Sequence, residues 1–153
     1  MKKCLLRKAN SEDMRFLFDL RNEKSVREQS FQQKKIALED HKKWFQKKLK
    51  DDYTDIYIYE NDGIPVGQVR VDIDNEKRWG IISYAVQREY RGRGLGCRML
   101  KNMEQFEKKR VKCGLQASVK KENAASCRVF EKLGYHGTET DIGYKYVKRW
   151  NER

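Results

Sequence analysis

The sequence of 153 residues has few of the features on which metal sites and membrane spans depend. Its four cysteines form no C-x-x-C pair and its two histidines lie far apart, which argues against a zinc cluster. No apolar run approaches the roughly 18 residues of a membrane-spanning helix, and the N-terminus lacks the pattern of a signal peptide. We therefore expect a cytoplasmic protein with reduced thiols, without a metal and without a membrane partner.

Acidic side chains are scarce relative to basic ones: 23 Asp and Glu stand against 35 Lys and Arg, a formal net charge of +12. This excess attracts anionic partners, among them nucleotides, coenzyme phosphates and nucleic acid. Much of it lies in stretches such as 42–50, where a solvated helix face explains it. A hydrophobic fraction of 38% predicts a folded chain, and the length predicts a single domain over residues 1–153.

Hydrophobic periodicity predicts a mixed α/β chain. Helices are expected from Asn10 or Ser11, after Leu38 with Leu49 among its apolar residues, from Gly94, and from Asn123 to near Gly134, with an irregular polar stretch over 21–35. The predicted strands lie at 5–7, 56–59, 66–73, 79–86, 115–119, 135–138 and 144–148. The middle three form an antiparallel meander, and the chain then alternates between helices and strands.

A glycine-rich turn over residues 86–96 joins an apolar strand to an amphipathic helix. Glycines let the backbone approach a ligand closely, and the free N–H groups of a helix N-terminus attract phosphate. A P-loop would need Gly-Lys-Ser/Thr at its end, and a dinucleotide fingerprint would need glycine at Cys97, so both are excluded. The turn predicts an anion site, and the alternative is a loop that only reverses the chain.

Two motifs in order resemble those of the GNAT family of N-acetyltransferases. The first is Arg/Gln-x-x-Gly-x-Gly/Ala after a central strand, matched by Arg91, Gly94 and Gly96. The second follows about 30 residues later and is matched by Asn123, Ser126, Val129, Phe130, Gly134 and Tyr135.

The resemblance implies the GNAT fold, a twisted and mostly antiparallel sheet of about seven strands flanked by about four helices. The fourth and fifth strands would splay apart, and acetyl-CoA would lie between them as cosubstrate. The residues that would bind it are Tyr84, Ala85, Val86, Arg91, Gly92, Arg93, Gly94, Leu95, Gly96, Asn123, Ser126 and Phe130.

For the chemistry, the resemblance points to the backbone N–H of Val86 as the donor to the oxyanion. The family commonly has a tyrosine seven residues after the asparagine to protonate the leaving thiolate. Phe130 stands there in this chain and cannot donate a proton. The open candidates are Tyr84, Tyr135, Ser126 or water for the general acid, and Ser83, His41 or a water chain for the base.

The first two predicted helices and the stretch between them resemble the subgroup that acetylates nucleotide-linked amino sugars, such as the 4-amino sugar of pseudaminic acid biosynthesis. Arginines can pair with a diphosphate, and aromatic rings can stack on a base or a sugar. The expected acceptor contacts are Arg21, Asn22, Arg27, Phe31, His41 and Trp44, each of which could instead be a core or surface residue.

The expected partner is a small-molecule amine in the form of a sugar nucleotide, and a homodimer stays open. One alternative is a protein N-acetyltransferase that acts on ribosomal protein N-termini or on lysine. Another, from a different class, is a non-catalytic module that binds nucleic acid, but it depends on charge alone because no RNA-binding or zinc-finger signature is present.

Overall fold

The computed structural model describes residues 3–150, which form five α-helices and one seven-stranded sheet. The helices are α1 (Met14–Asn22), α2 (Lys24–Gln29), α3 (Leu38–Leu49), α4 (Leu95–Glu107) and α5 (Ala124–Lys132). The strands are β1 (Cys4–Lys8), β2 (Thr54–Asn61), β3 (Ile64–Ile73), β4 (Trp79–Val86), β5 (Gly114–Val119), β6 (His136–Thr140) and β7 (Gly143–Arg149).

The strands are arranged in the order β1-β2-β3-β4-β5-β7-β6. Neighbours are antiparallel except β4 and β5, which are parallel and are joined by the crossover helix α4. The antiparallel meander expected in the middle of the chain is present as β2, β3 and β4. The mixed α/β architecture predicted from the sequence is therefore confirmed.

Side chains along each strand alternate between the two faces of the sheet, so each face has its own apolar cluster. On one face Tyr57, Val69 and Ile82 pack with Met99 and Met103 of α4. On the other face a smaller cluster packs α1 and α3 against β2, through Leu17, Phe45, Ile56 and Ile58. The sheet thus has α4 on one side and α1 to α3 on the other, so a ligand that enters between strands contacts both layers.

The segment predicted to be irregular contains the short helix α2, which has no buried residue. Its sequence lacks an apolar periodicity because it covers no core, so hydrophobic spacing could not reveal it. The last two strands begin and end within two residues of the expected positions. None of the helices in residues 3–150 combines the length and the apolar character needed to cross a bilayer.

Candidate active site

The sheet opens in the middle, where β4 and β5 separate. They pair only over Trp79–Ile81 and Gly114–Gln116, at the N-terminal end of both strands. Beyond Ile81 the two strands leave a gap, which continues into a cleft of about 970 Å³ lined by residues of both helical layers. A volume of this size is at the upper end of the range for ligand sites and is sufficient for an extended cofactor.

The backbone of β4 presents hydrogen-bonding groups to this gap. Gln87 N donates to Val66 O at 2.8 Å, so Gly67 and Val86 are a non-hydrogen-bonded pair in the ladder with β3. The N–H of Val86 therefore points away from β3 and toward the gap, and alternation gives Tyr84 the same direction. The backbone groups of Ala85 bond to β3 instead and do not face the gap.

The glycine-rich turn places the N-terminus of α4 at the mouth of the gap. Gly92 and Gly94 have φ angles of 79° and 75°, in the left-handed region that favours glycine. Gly94 is the N-cap of α4 and contributes no side-chain cap, so the first N–H groups of the helix lie open toward the cleft. Leu95 and Gly96 follow in its lining, and the arrangement suits an anion.

Two of the three arginines of this turn, Arg91 and Arg93, contact other protein groups, and of the two Arg91 also lines the cleft. Arg91 donates from Nε to Val86 O at 3.0 Å and from Nη1 to Ser25 Oγ at 2.9 Å, and it lies 3.5 Å from a carboxylate oxygen of Glu23. It thus ties β4 to the start of α2. The guanidinium of Arg93 lies over the ring of Tyr90, 5.3 Å from its centroid, and does not line the cleft.

Helix α5 forms the opposite wall. Asn123 is its N-cap, with Oδ1 accepting from Ser126 N at 3.2 Å, and both residues line the cleft. The hydroxyls of Ser126 and Tyr84 are 2.7 Å apart and share a hydrogen bond across the gap. Phe130 is buried, with its ring edge-on to that of Tyr84 and stacked on that of Tyr146.

These contacts separate the candidates for the general acid. Burial raises the pKa of Tyr84, so its hydroxyl holds a proton at neutral pH. Tyr135 is buried, and its hydroxyl donates to Glu104 at 2.7 Å, outside the cleft. The geometry thus leaves Tyr84 and Ser126 as the protein hydroxyls, among the three candidates, that face the gap.

Two of the predicted acceptor contacts have a structural role. The amide group of Asn22 exchanges two hydrogen bonds of 2.9 Å with the backbone N–H and carbonyl of Ile36. Arg27 donates to the carbonyls of Asn22 and Gln33. Neither side chain lines the cleft; both close the loop between α2 and α3, so the structure does not bring them together with the other predicted acceptor contacts.

His41 lines the cleft at the back and is nearly inaccessible, with 1% of its surface exposed. Its ring lies against Phe18, Trp44 and Phe45. Within residues 3–150 neither ring nitrogen makes a hydrogen bond of standard geometry. Burial, followed by the charge of Arg21, lowers the pKa of His41, so the imidazole is neutral at pH 7.

The front of the acceptor side is basic and aromatic. Arg21, Phe31 and Trp44 line it, and Ser83 of β4 lines it with them. Arg70 of β3, which sequence reasoning missed, is directly opposite Ser83 in the ladder. Polar residues alternate with valines along β3, and that alternation was a sufficient signal that Arg70 shares the face of the acceptor helices.

No group of three or more histidine, cysteine or acidic side chains in the described part of the chain is arranged to hold a metal ion. The polar groups that line the cleft are backbone N–H groups, the hydrogen-bonded hydroxyls of Tyr84 and Ser126, and guanidinium groups. Such a set binds anions and stabilises developing negative charge.

A family model described as the acetyltransferase (GNAT) family matches residues 14–135. No curated protein sequence matches the chain. The match includes the β4 strand, the glycine-rich turn and α5, the elements that enclose the gap.

Solved structures give the same result at the level of the fold. A domain from Methanocaldococcus jannaschii has a TM-score of 0.84 at 17% identity, covering 97% of this chain and 99% of that one. The spermidine N-acetyltransferase of Vibrio cholerae, in complex with CoA and spermine, has a TM-score of 0.81 at 19% identity, covering 95% and 92%. A Salmonella typhimurium acetyltransferase that modifies the N-terminal serine of ribosomal protein L7/L12 has 0.80 at 16%, covering 97% and 95%.

Proposed function

The chain belongs to the GNAT family of acetyltransferases, and from this premise we propose that it transfers the acetyl group of acetyl-CoA to the amine of a nucleotide-linked amino sugar. Acetyl-CoA is the cosubstrate of the family, and relatives of the same fold have been solved with it or with CoA. The observation that carries the proposal is the N–H of Val86, which is directed into a gap between strands beside a helix N-terminus.

The reaction begins when a neutral amine attacks the thioester carbonyl. A C–N bond forms, the carbonyl oxygen becomes an oxyanion, and the N–H of Val86 donates a hydrogen bond to it. This donor is fixed by the ladder between β3 and β4, so it needs no reorganisation as the charge develops. Collapse of the intermediate breaks the C–S bond and releases the thiolate of coenzyme A.

The thiolate takes a proton from the hydroxyl pair of Tyr84 and Ser126. The two oxygens are 2.7 Å apart, so a proton given up by one is replaced from the other. The pair regains its proton, through solvent in the cleft, from the nitrogen of the intermediate, which loses one proton as the amide forms. Tyr84→Phe should lower kcat by about 10²-fold, the lower end of the usual contribution of an acid. Tyr135→Phe, which alters a buried tyrosine outside the cleft, is the control; equal kcat values for the two variants would remove Tyr84 from this role.

The proton of the incoming ammonium leaves through solvent in the cleft. His41 is neutral but almost completely enclosed by aromatic rings, and Ser83 is a weak base, so neither side chain provides strong help. A lysine acceptor, with an ordinary pKa of about 10.4, would demand such help. An amino sugar is less basic because neighbouring oxygens withdraw charge, so it loses its proton without a strong base in the cleft.

The lining of the acceptor side supports a small anionic acceptor. Phe31 is 49% exposed and offers an uncovered ring to a base or a sugar. Within the described chain Glu28 is the one acidic residue that lines the cleft, against several basic ones. This excess of positive charge favours a substrate that carries phosphate.

A thiol-release assay with acetyl-CoA tests the acceptor class. The panel consists of UDP-linked amino sugars and of peptides with free N-termini or lysines. We expect turnover with a sugar nucleotide and none with the peptides. Turnover of peptides alone would reverse the assignment in favour of a protein N-acetyltransferase. RNA binding that coenzyme A does not weaken, together with no turnover of any amine, would favour a non-catalytic module.

A further inference from the structure

Two guanidinium groups in the cleft lie over the same indole ring. The central carbon of Arg21, from α1, is 4.8 Å from the centroid of Trp44, and that of Arg70, from β3, is 5.2 Å from it. Both arginines and the tryptophan line the acceptor side of the cleft. Cation–π contact is attractive, so one indole ring brings together two like charges that would otherwise repel.

Arg21 has no acidic partner among residues 3–150, and it makes no hydrogen bond there either. Arg7 and Arg110 are half-buried like Arg21, but acids hold them: Arg7 is held by Asp13 and Glu60, and Arg110 by Asp55. Burial and the charge of Arg70 both lower the pKa of Arg21, but an arginine side chain keeps its charge in proteins. A half-buried cation without a counter-ion is a site that a ligand anion completes.

Arg70 has a partial partner in Asp72, at 3.1 Å from Nε, but that carboxylate is 39% exposed. The rest of its guanidinium is free to contact a ligand. Each guanidinium group has two parallel N–H donors, the arrangement that binds phosphate in a bidentate manner. The carboxylate of Asp72 alone does not neutralise the charges of both Arg21 and Arg70.

The position of the pair fits the geometry of acetyl transfer. Arg70 is opposite Ser83, which precedes Val86 by three residues, or about 10 Å along a strand. An acceptor held there by phosphate must therefore place its amine one sugar ring away, next to the donor to the oxyanion. An acceptor whose phosphate is attached directly beside its amine would be too short to contact both the arginine pair and the N–H of Val86.

We propose that Arg21 and Arg70 form a phosphate site for the acceptor, and that Trp44 is the positioning residue that holds the two guanidinium groups together. The proposal deepens the proposed function and depends on it for the amine, but the phosphate site itself is independent of turnover. Because both charges are positive, the site rejects polycationic amines such as spermine. Since both guanidinium groups lie over the ring of Trp44, the residue left to stack on a base is Phe31.

Calorimetry with UDP and with inorganic pyrophosphate, on protein saturated with coenzyme A, tests the site directly. Saturation fills the phosphate cradle of α4, so further anion binding reports the second site. Arg21→Gln and Arg70→Gln should each weaken the affinity for both probes about tenfold or more, with the affinity for coenzyme A unchanged. Arg15→Gln is the matched control, because Arg15 is also on α1 and over a ring, that of Phe18, but outside the cleft.

Trp44 is tested by comparison of two replacements. Trp44→Phe keeps a ring under the guanidinium groups and should retain most of the anion affinity, whereas Trp44→Leu should lose it to the same extent as Arg21→Gln. Equal losses in both Trp44 variants would remove the positioning role of the ring.

Failure of this proposal is separable from failure of the proposed function. No binding of either probe to the coenzyme-saturated protein, or binding that both arginine variants retain, overturns the phosphate site. Absence of coenzyme A binding in the folded wild-type protein would instead overturn the acetyltransferase site. In the turnover assay, the arginine variants should raise KM for UDP-linked amino sugars and leave KM for the free amino sugar unchanged.

Discussion

Among single residues, Glu107 is the least expected from the sequence. It lies on α4, on the buried face, and is completely enclosed. Tyr57 donates to one of its carboxyl oxygens at 2.5 Å, and the other oxygen has no donor within residues 3–150. Burial, together with the neighbouring Asp55, raises the pKa of Glu107 to about 8. The protein therefore keeps a proton inside its core at neutral pH.

That proton makes stability depend on pH. The unfolded chain loses it near the ordinary carboxyl pKa of 4.5, whereas the folded chain holds it up to about 8. Stability is therefore greatest below the lower value and falls as pH rises between the two. Glu107→Gln mimics the protonated state, so its melting temperature should match wild type at pH 5 and exceed it at pH 8 by several degrees, given about 2–4 °C per kcal/mol.

Glu76→Gln, which alters an exposed carboxylate, is the control and should shift the melting temperature equally at both values of pH. Thermal unfolding followed by circular dichroism measures all three proteins. A wild-type curve that runs parallel to that of Glu107→Gln from pH 5 to pH 8 would contradict the raised pKa.

The residues of the site were not equally predictable from the sequence. The glycines of the turn and Asn123 could be predicted because backbone requirements fix residue type at fixed spacing. Asn22 could not, because its two hydrogen bonds go to Ile36, 14 positions away, and no local pattern records such a contact. Arg70 was missed because a basic residue on a half-exposed strand is usually a solvated one.

At the scale of elements, the junction between β4 and α4 is the segment that we propose binds the phosphates of the coenzyme. Gly94 has φ of 75°, and no atom lies within 4 Å of the position that a Cβ would take there, so its immediate surroundings are open. Gly134, after α5, shares both properties, with φ of 89°, but does not line the cleft. The two positions therefore differ in location and not in backbone geometry.

Gly94→Leu and Gly134→Leu should each cost about 1–2 kcal/mol of stability, since both force an L-residue into the left-handed region. Only Gly94→Leu should also weaken coenzyme A binding, by about tenfold or more, because its side chain stands at the mouth of the phosphate cradle. Urea denaturation and calorimetry provide the two measurements. Equal coenzyme affinities in the two folded variants would show that the turn is not the cradle.

The remaining differences between the predicted and observed elements have one cause. Strongly periodic segments such as α4 and β3 were located well because one face of each is buried. Helix α2 covers no core and is held by polar contacts: Arg91 donates to Ser25, and Lys120 donates to the carbonyl of Glu28. Elements that depend on distant polar partners leave little trace in local sequence.

For the molecule as a whole, the main feature is a sheet that opens between β4 and β5. The two halves, β1–β4 and β5–β7, are joined through three residue pairs between β4 and β5. The family resemblance predicted this splayed pair, and neither composition nor periodicity could have done so, because strand pairing is a long-range property. Beyond Ile81 the backbone of β4 is paired on one side only, with β3.

Hydrogen exchange distinguishes the two sides of that backbone. The amides of Tyr84 and Val86 point to the gap and should gain protection when coenzyme A binds. The amides of Ser83 and Ala85 already bond to β3 and should change little, so they are internal controls. A uniform gain over 83–86 would indicate general rigidification, and no gain at Val86 would contradict its contact with the coenzyme.

A sheet that separates in its middle has four free strand borders where a continuous one has two. Those of β4 and β5 face each other across a cleft too wide for them to pair, and an extended polypeptide of foreign origin could add there as a strand. We propose that the cosubstrate occupies this place, and in that position it covers both borders against the addition of a foreign strand. Coenzyme A is therefore expected to slow self-association of the protein.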